Sequence, residues 1–152
     1  MYFPLFVDLR NHNILIVGGG AVADRRVHTL LLFAGEMTVV SPDFTEGLKH
    51  LAQNGQVQIK ERAFEPGDLN GRDLVLAATD DAALNRQIAE LCRARGISVN
   101  VSSDWTLCDF QFPSVLTDGE VTIGINASGA NHSLVKETRK RLETVLHSEQ
   151  EA

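Results

Sequence analysis

Short apolar runs alternate along the chain with stretches in which apolar residues recur every three or four positions. Asn13–Val17 (NILIV) is apolar after its first residue and is closed by glycines, the pattern of a parallel strand buried on both faces. From Ala21 to Ala34, Val22, Val27, Leu30, Leu31 and Phe33 are interleaved with Asp24, Arg25 and Arg26, which predicts a helix with Gly35 as its stop. Met37–Val40 predicts a second strand. Phe44–Gln53 places Leu48 and Leu51 on one side of a short helix, and Val57–Glu61 alternates like a more exposed third strand. The rhythm then repeats: strand Asp73–Ala78, helix Asp81–Arg95 with Leu84, Ile88, Leu91 and Cys92 along one side and Gly96 as its stop, and strand Ile97–Val101.

Beyond Val101 the alternation of strand and helix ceases. Pro113–Thr117 and Val121–Ala127 flank Asp118-Gly119, a hairpin signal, and Asn131–His147 sets Leu134, Val135, Thr138, Leu142, Val145 and Leu146 on one helical face. The pattern therefore predicts an α/β chain: a Rossmann-like parallel sheet of about five strands over residues 1–112, then a hairpin and amphipathic helix over 113–152. The last apolar stripe needs cover, and a homodimer is expected to supply it. Ser148–Ala152 is expected to be a disordered tail.

Composition narrows the partners. With 152 residues, 43% apolar and 22% charged, the chain suits one globular core, and a formal net charge of −6 argues against nucleic acid or an anionic membrane as the main partner. No apolar run is long enough to span a bilayer, and Tyr2–Leu9 lacks the basic leader and cleavage site of a signal peptide. Cys92 and Cys108 have no metal-ligand spacing, nor do the five histidines, so two reduced thiols in a cytoplasmic protein and no bound metal are expected.

The candidate chemistry lies in Gly18–Ala23 (GGGAVA), which fits G-x-G-x-x-A with Gly18, Gly20 and Ala23 at the small positions. Gly18 permits the turn out of the strand, Gly20 leaves room for a pyrophosphate, and Ala23 lets helix and strand pack closely. The helix start then offers N–H groups and partial positive charge to phosphates. The turn follows a buried-type strand and opens a helix, which are the conditions that give the motif force. Asp43 is the local acidic candidate for the ribose hydroxyls, although it also suits a plain turn. No arginine stands between Gly35 and Gly47, so NAD is favoured over NADP.

Several separate stretches, YFPLFVDLRNHNILIVGGGAVADRRV (2–27), LVLAATDDAALN (74–85), VNV (99–101) and CDFQFPSVL (108–116), together resemble the siroheme synthase N-terminal family. That family comprises NAD-dependent precorrin-2 dehydrogenases, some of which are also sirohydrochlorin ferrochelatases. The resemblance implies NAD as cofactor, contacted by the turn Gly18, Gly19 and Gly20, by Ala21, Val22, Pro42 and Asp43, and lined by Ala78, Thr79 and Asn100. Thr79 or Asp80 would also cap the next helix. It implies precorrin-2 as substrate, losing a hydride to NAD and a proton to a nearby acceptor.

Three departures qualify that expectation. The family pattern after the strand resembles VNVVDDP, and its key aspartate falls on Ser103, whose hydroxyl is no carboxylate base. Asp104 could substitute only in a shifted loop, where Trp105 replaces the usual proline. Ser103 and Asp104 are thus the catalytic candidates, with ferrochelatase activity doubtful. In Ala127–Lys136, ASGANHSLVK stands against SGGxSPxLAR, with His132 at the proline position. Members also commonly continue into a small helical domain, so a short variant without it is expected. A noncatalytic module binding NAD or a tetrapyrrole is the alternative.

Overall fold

The structure is a computed structural model that describes residues 2–127 and 131–150. It divides into two compact units, Val7–Phe110 and Met1–Phe6 with Gln111–Ala152. In the first unit, β1 (Asn13–Val17), β2 (Glu36–Ser41), β3 (Gln58–Glu61), β4 (Leu74–Ala77) and β5 (Ser98–Val101) form a five-stranded sheet of order β3-β2-β1-β4-β5. All four pairings are parallel, with Val17 opposite Val40 on one side and Ala77 on the other. Helices α1 (Ala21–Leu30), α2 (Glu46–Gln53) and α3 (Ala82–Ala94) join β1 to β2, β2 to β3 and β4 to β5, the β3–β4 crossover carries a 3₁₀ turn at Pro66–Leu69, and a second such turn occupies Trp105–Leu107.

Strand β1 is central, and its residues from Ile14 to Val17 are all buried, as a strand covered on both faces requires. Leu15 and Val17 join Val75, Val99 and Val101 in a core completed by Ile88, Ala89 and Cys92 of α3. Helix α1 buries Ala23, Val27 and Leu30. Burial of Val27 and Leu30, worth roughly 1.5–3 kcal/mol each, outweighs the modest helix propensity of Asp24, His28 and Thr29. The helix ends at Leu30 rather than at Ala34. Gly35 is therefore not its stop; a Cβ there would lie 2.5 Å from the Arg10 carbonyl oxygen, so the position serves close packing.

One charged cluster ties the sheet edge to the following turn. The Asp68 side chain, 2% exposed, accepts from Arg62 at 2.6 and 2.8 Å, from Lys60 at 3.1 Å and from the Glu65 N–H at 3.0 Å. The Arg62 guanidinium holds this carboxyl well below the usual carboxylate range.

In the second unit, β6 (Ser114–Asp118) and β7 (Val121–Ile125) form an antiparallel hairpin against which α4 (His132–Gln150) packs. Arg139 fastens that helix, donating to Ser114 Oγ at 3.1 Å and to the Val115 carbonyl at 2.8 Å. The hairpin therefore covers part of the apolar stripe: Val135 and Leu142 are half-buried, whereas Leu134 is 50% exposed. The helix continues through Ser148–Gln150 instead of ending in a tail there, while residues 151 and 152 lie outside the described residues. So do residues 128–130 of the ASGANHSLVK segment. Tyr2–Phe6 belongs to this unit, with Tyr2 meeting Gln111 at 3.5 Å, a pairing across the sequence that no local pattern announces.

Candidate functional site

The strand order reverses between β1 and β4, and the turns that follow those two strands meet there. This is where open parallel sheets place ligands. Gly18 has φ +117° and a Cβ on it would lie 2.4 Å from the Ala78 carbonyl oxygen, so only glycine fits. At Gly19 a Cβ would lie 1.9 Å from the Asp43 carbonyl oxygen, because the loop after β2 folds onto the turn. That loop is clasped by Thr45, whose N–H donates to the Gly19 carbonyl at 2.9 Å and whose hydroxyl donates to Asp24 of α1. Thr45 also caps α2 by accepting from the Leu48 N–H.

Gly20 differs from its two neighbours. Its backbone is extended and ordinary, and a Cβ there would meet nothing within 4 Å. The fold itself does not need glycine at this position, and the backbone there is open to approach from outside. Gly20 is also the N-cap of α1 and no side chain caps it, so first-turn N–H groups are left for an outside acceptor. Gly20, Ala21 and Val22 are exposed, as are Pro42 and Asp43 on the neighbouring loop. The chemistry here fits an anion at the helix start and an extended ligand lying along the carboxyl edge of the sheet.

On the other side of the switch point, Asn85 of α3 organises the turn after β4. Its Nδ2 donates to the Thr79 carbonyl at 3.0 Å and to Ser103 Oγ at 3.2 Å, and its Oδ1 accepts from the Thr79 N–H at 3.2 Å and hydroxyl at 2.7 Å. The cap of α3 is Asp81, which accepts from the Ala83 and Leu84 N–H groups, not Thr79 or Asp80. Asp81 alone stands immediately before the first helical residue, where a side chain can reach the second and third N–H groups.

The two catalytic candidates fare differently. Ser103 is exposed after β5 and is hydrogen-bonded to Asn85. Asp104 caps the 3₁₀ turn, accepting from the Thr106 hydroxyl at 2.6 Å and N–H at 3.0 Å, with Arg86 at 3.7 Å. These bonds hold its carboxyl below the ordinary carboxylate range, which makes it a weaker base. Asn100, 3% exposed, donates to the Phe110 carbonyl at 2.7 Å and to Cys108 Sγ at 3.4 Å, anchoring the loop that returns after β5. It is buried, as are Gly18, Gly19 and Ala78, whereas Gly20, Ala21, Val22, Pro42, Asp43 and Ser103 are exposed. Burial pushes the Cys92 thiol up to about 11 and also raises that of Cys108, so both are poor nucleophiles.

Comparison with known proteins decides what the turn belongs to. The family described as "Putative NAD(P)-binding" matches residues 5–114. The chain belongs to this NAD(P)-binding family. It is 39% identical over 145 residues to siroheme synthase of Pseudoalteromonas atlantica, covering 95% of this chain and 31% of that protein. It is 40% identical over 148 residues to siroheme synthase of Photorhabdus laumondii, covering 97% of this chain and 31% of that protein. The chain thus spans about a third of the length of these relatives. Among solved structures, "SirC, precorrin-2 dehydrogenase" superposes with a TM-score of 0.76 at 25% identity, over 94% of this chain and 70% of that one.

Asn85, Thr45 and Asp24 did not emerge from the sequence as site residues. A signal existed for Asn85: it shares the helical face of Ile88, Ala89 and Cys92, and a polar residue on an apolar stripe needs buried partners. Thr45 and Asp24, 21 residues apart, become partners only when α1 and the β2–α2 loop are brought together. Among the described residues no cluster of His, Cys, Asp and Glu has the makings of a metal site, and no helix is long and apolar enough to cross a membrane.

Proposed function

We propose that the chain is the NAD-dependent dehydrogenase portion of a siroheme-forming enzyme, oxidising precorrin-2 to sirohydrochlorin. The observation that carries this reading is the open approach to Gly20 at the uncapped start of α1, beside Ala78 and Thr79, in a chain similar over most of its length to siroheme synthases. Gly18 and Gly19 shape the turn, and the N–H groups at Ala21 and Val22 take the pyrophosphate. Asp43 meets the ribose hydroxyls, which favours NAD over NADP. When bound, NAD supplies the hydride acceptor. The protein's part is to orient the macrocycle along the edge formed by Thr79 and Ser103 and to exclude alternative poses.

A second reading, a noncatalytic module that holds NAD or a tetrapyrrole, draws on one observation: neither Ser103, a neutral hydroxyl, nor Asp104, spent on its cap, is a good base. Ferrochelation, which asks more of a carboxylate here, is correspondingly weak in our reading. Purified protein given precorrin-2 and NAD should develop the absorbance of sirohydrochlorin and NADH in equal amounts. NAD binding without either product would favour the module and overturn the dehydrogenase.

Two further points belong to the same reading. Tyr2, Phe3, Leu5, Phe6 and Leu134, all in the second unit, leave apolar surface exposed, and a homodimer would cover it. A cytoplasmic setting suits an enzyme that consumes NAD and carries two free thiols.

A further inference from the structure

Asn85 lies 1% exposed on the apolar face of α3, where an amide is costly unless each of its groups is met. All of them are, and the orientation of the amide is forced. The Thr79 N–H can only donate and the Thr79 carbonyl can only accept, so Oδ1 must face the first and Nδ2 the second. The remaining Nδ2 hydrogen is then committed to Ser103 Oγ, 3.2 Å away. Ser103 is thereby an acceptor toward the interior. Its own hydrogen stays available on an exposed position at the carboxyl end of β5, and no described residue is bonded to it.

We infer that Ser103, held by Asn85, is a hydrogen-bond donor to a carboxylate of the substrate, and that Asn85 is the positioning residue for that contact. The inference rests on the dehydrogenase reading, in which the substrate is a polycarboxylate macrocycle. A carboxylate at position 103 would accept the same bond from Asn85 but would present negative charge and no hydrogen to an anionic ligand. Arg86, on the same helix as Asn85 and 59% exposed, stands 3.7 Å from the Asp104 carboxylate and offsets its negative charge beside this edge. The chain therefore presents a donor where the family pattern presents a proton acceptor.

The test uses the intact chain and its single tryptophan, Trp105, which lies two residues from Ser103 and is 52% exposed. Sirohydrochlorin is titrated against Trp105 fluorescence without NAD, and precorrin-2 oxidation is followed with NAD. Ser103→Ala should weaken sirohydrochlorin binding and raise KM for precorrin-2 by about tenfold, the scale of a hydrogen bond to a charged group, while kcat falls by no more than about threefold. Ser103→Thr, which keeps the hydroxyl, should restore binding. Asn85→Asp should reproduce the loss, and adding Ser103→Ala to it should cost little more. Because Asn85 is buried its variant risks misfolding, but the exposed Ser103 variants decide the matter alone.

A collapse of kcat with unchanged KM in Ser103→Ala would make the hydroxyl part of the proton transfer and overturn the inference. So would a rise in kcat in Ser103→Asp. If the wild type binds sirohydrochlorin but oxidises no precorrin-2, the dehydrogenase reading fails and the titration still judges Ser103. Unaltered sirohydrochlorin binding in Ser103→Ala, or none in the wild type, overturns the contact itself.

Discussion

Replacing Gly20 by alanine separates what the fold requires of the glycine-rich turn from what a ligand requires. The new methyl group meets nothing within 4 Å and the backbone there is extended, so no atom has to move. Alanine is a poorer N-cap than glycine by roughly 0.5–1 kcal/mol, and it offsets this by restricting the unfolded chain by about 0.4–1 kcal/mol. Net stability should stay within about 0.5 kcal/mol, a shift of roughly 1–2 °C in Tm for a domain of this size. At Gly18 the same substitution forces φ +117° on alanine and sets its Cβ 2.4 Å from the Ala78 carbonyl oxygen. Backbone strain and overpacking each cost about 1–3 kcal/mol, so Gly18→Ala should lose roughly 3 kcal/mol, or about 6–12 °C. NAD affinity should respond in the opposite way for Gly20→Ala: losing one or two charge-assisted contacts, about 2–3 kcal/mol in all, weakens binding by roughly 30- to 150-fold. Thermal unfolding and calorimetric NAD titration measure both effects. An unchanged NAD affinity in Gly20→Ala, or a Tm loss matching that of Gly18→Ala, would refute the division of labour.

Asp68→Asn should cost about 2 kcal/mol at neutral pH, less than a fully buried pair because Lys60 and Arg62 are 41% and 37% exposed. The folded-state pKa of Asp68 lies below its unfolded value of about 3.9, so its contribution is complete above roughly pH 5 and disappears as pH falls through the folded value. Denaturant titrations should therefore show the gap between wild type and Asp68→Asn closing in acid; a gap that widens would contradict the assignment. Asp43→Ala should lower the preference for NAD over NADP severalfold in paired calorimetric titrations, and an unchanged ratio would remove Asp43 from the ribose site. If the apolar surface of the second unit is a dimer interface, Leu134→Glu should shift sedimentation from dimer to monomer. A wild type already monomeric at micromolar concentration would refute it.

Much of this molecule was legible from local pattern. The strand β1 and the start of α1 follow from NILIV and the glycines behind it, because a continuously apolar strand and a small-residue turn each have few alternative uses. The hairpin was announced by Asp118-Gly119, although the turn itself is Gly119-Glu120 with Asp118 closing β6 opposite Val121, and the stop of α3 was announced by Gly96. Boundaries moved where tertiary contacts outweighed periodicity. Helix α1 stops at Leu30, four residues before its pattern ends, as the chain turns to bring Gly35 against Arg10.

The sequence alone determined the order of strands and helices, the position of the glycine-rich turn, and its suitability for a dinucleotide, since these depend on neighbours within a few residues. Only the tertiary structure decided which glycine serves which purpose: Gly18 and Gly19 answer to carbonyl groups of Ala78 and Asp43, 60 and 24 residues away by number, and Gly20 answers to none. It likewise decided that Asp104 is spent as a cap while Ser103 is oriented by Asn85. The physical reason is the same in each case. A side chain's chemical role is set by the groups that already occupy its donors, acceptors and space, and those groups arrive from distant segments only when the sheet assembles.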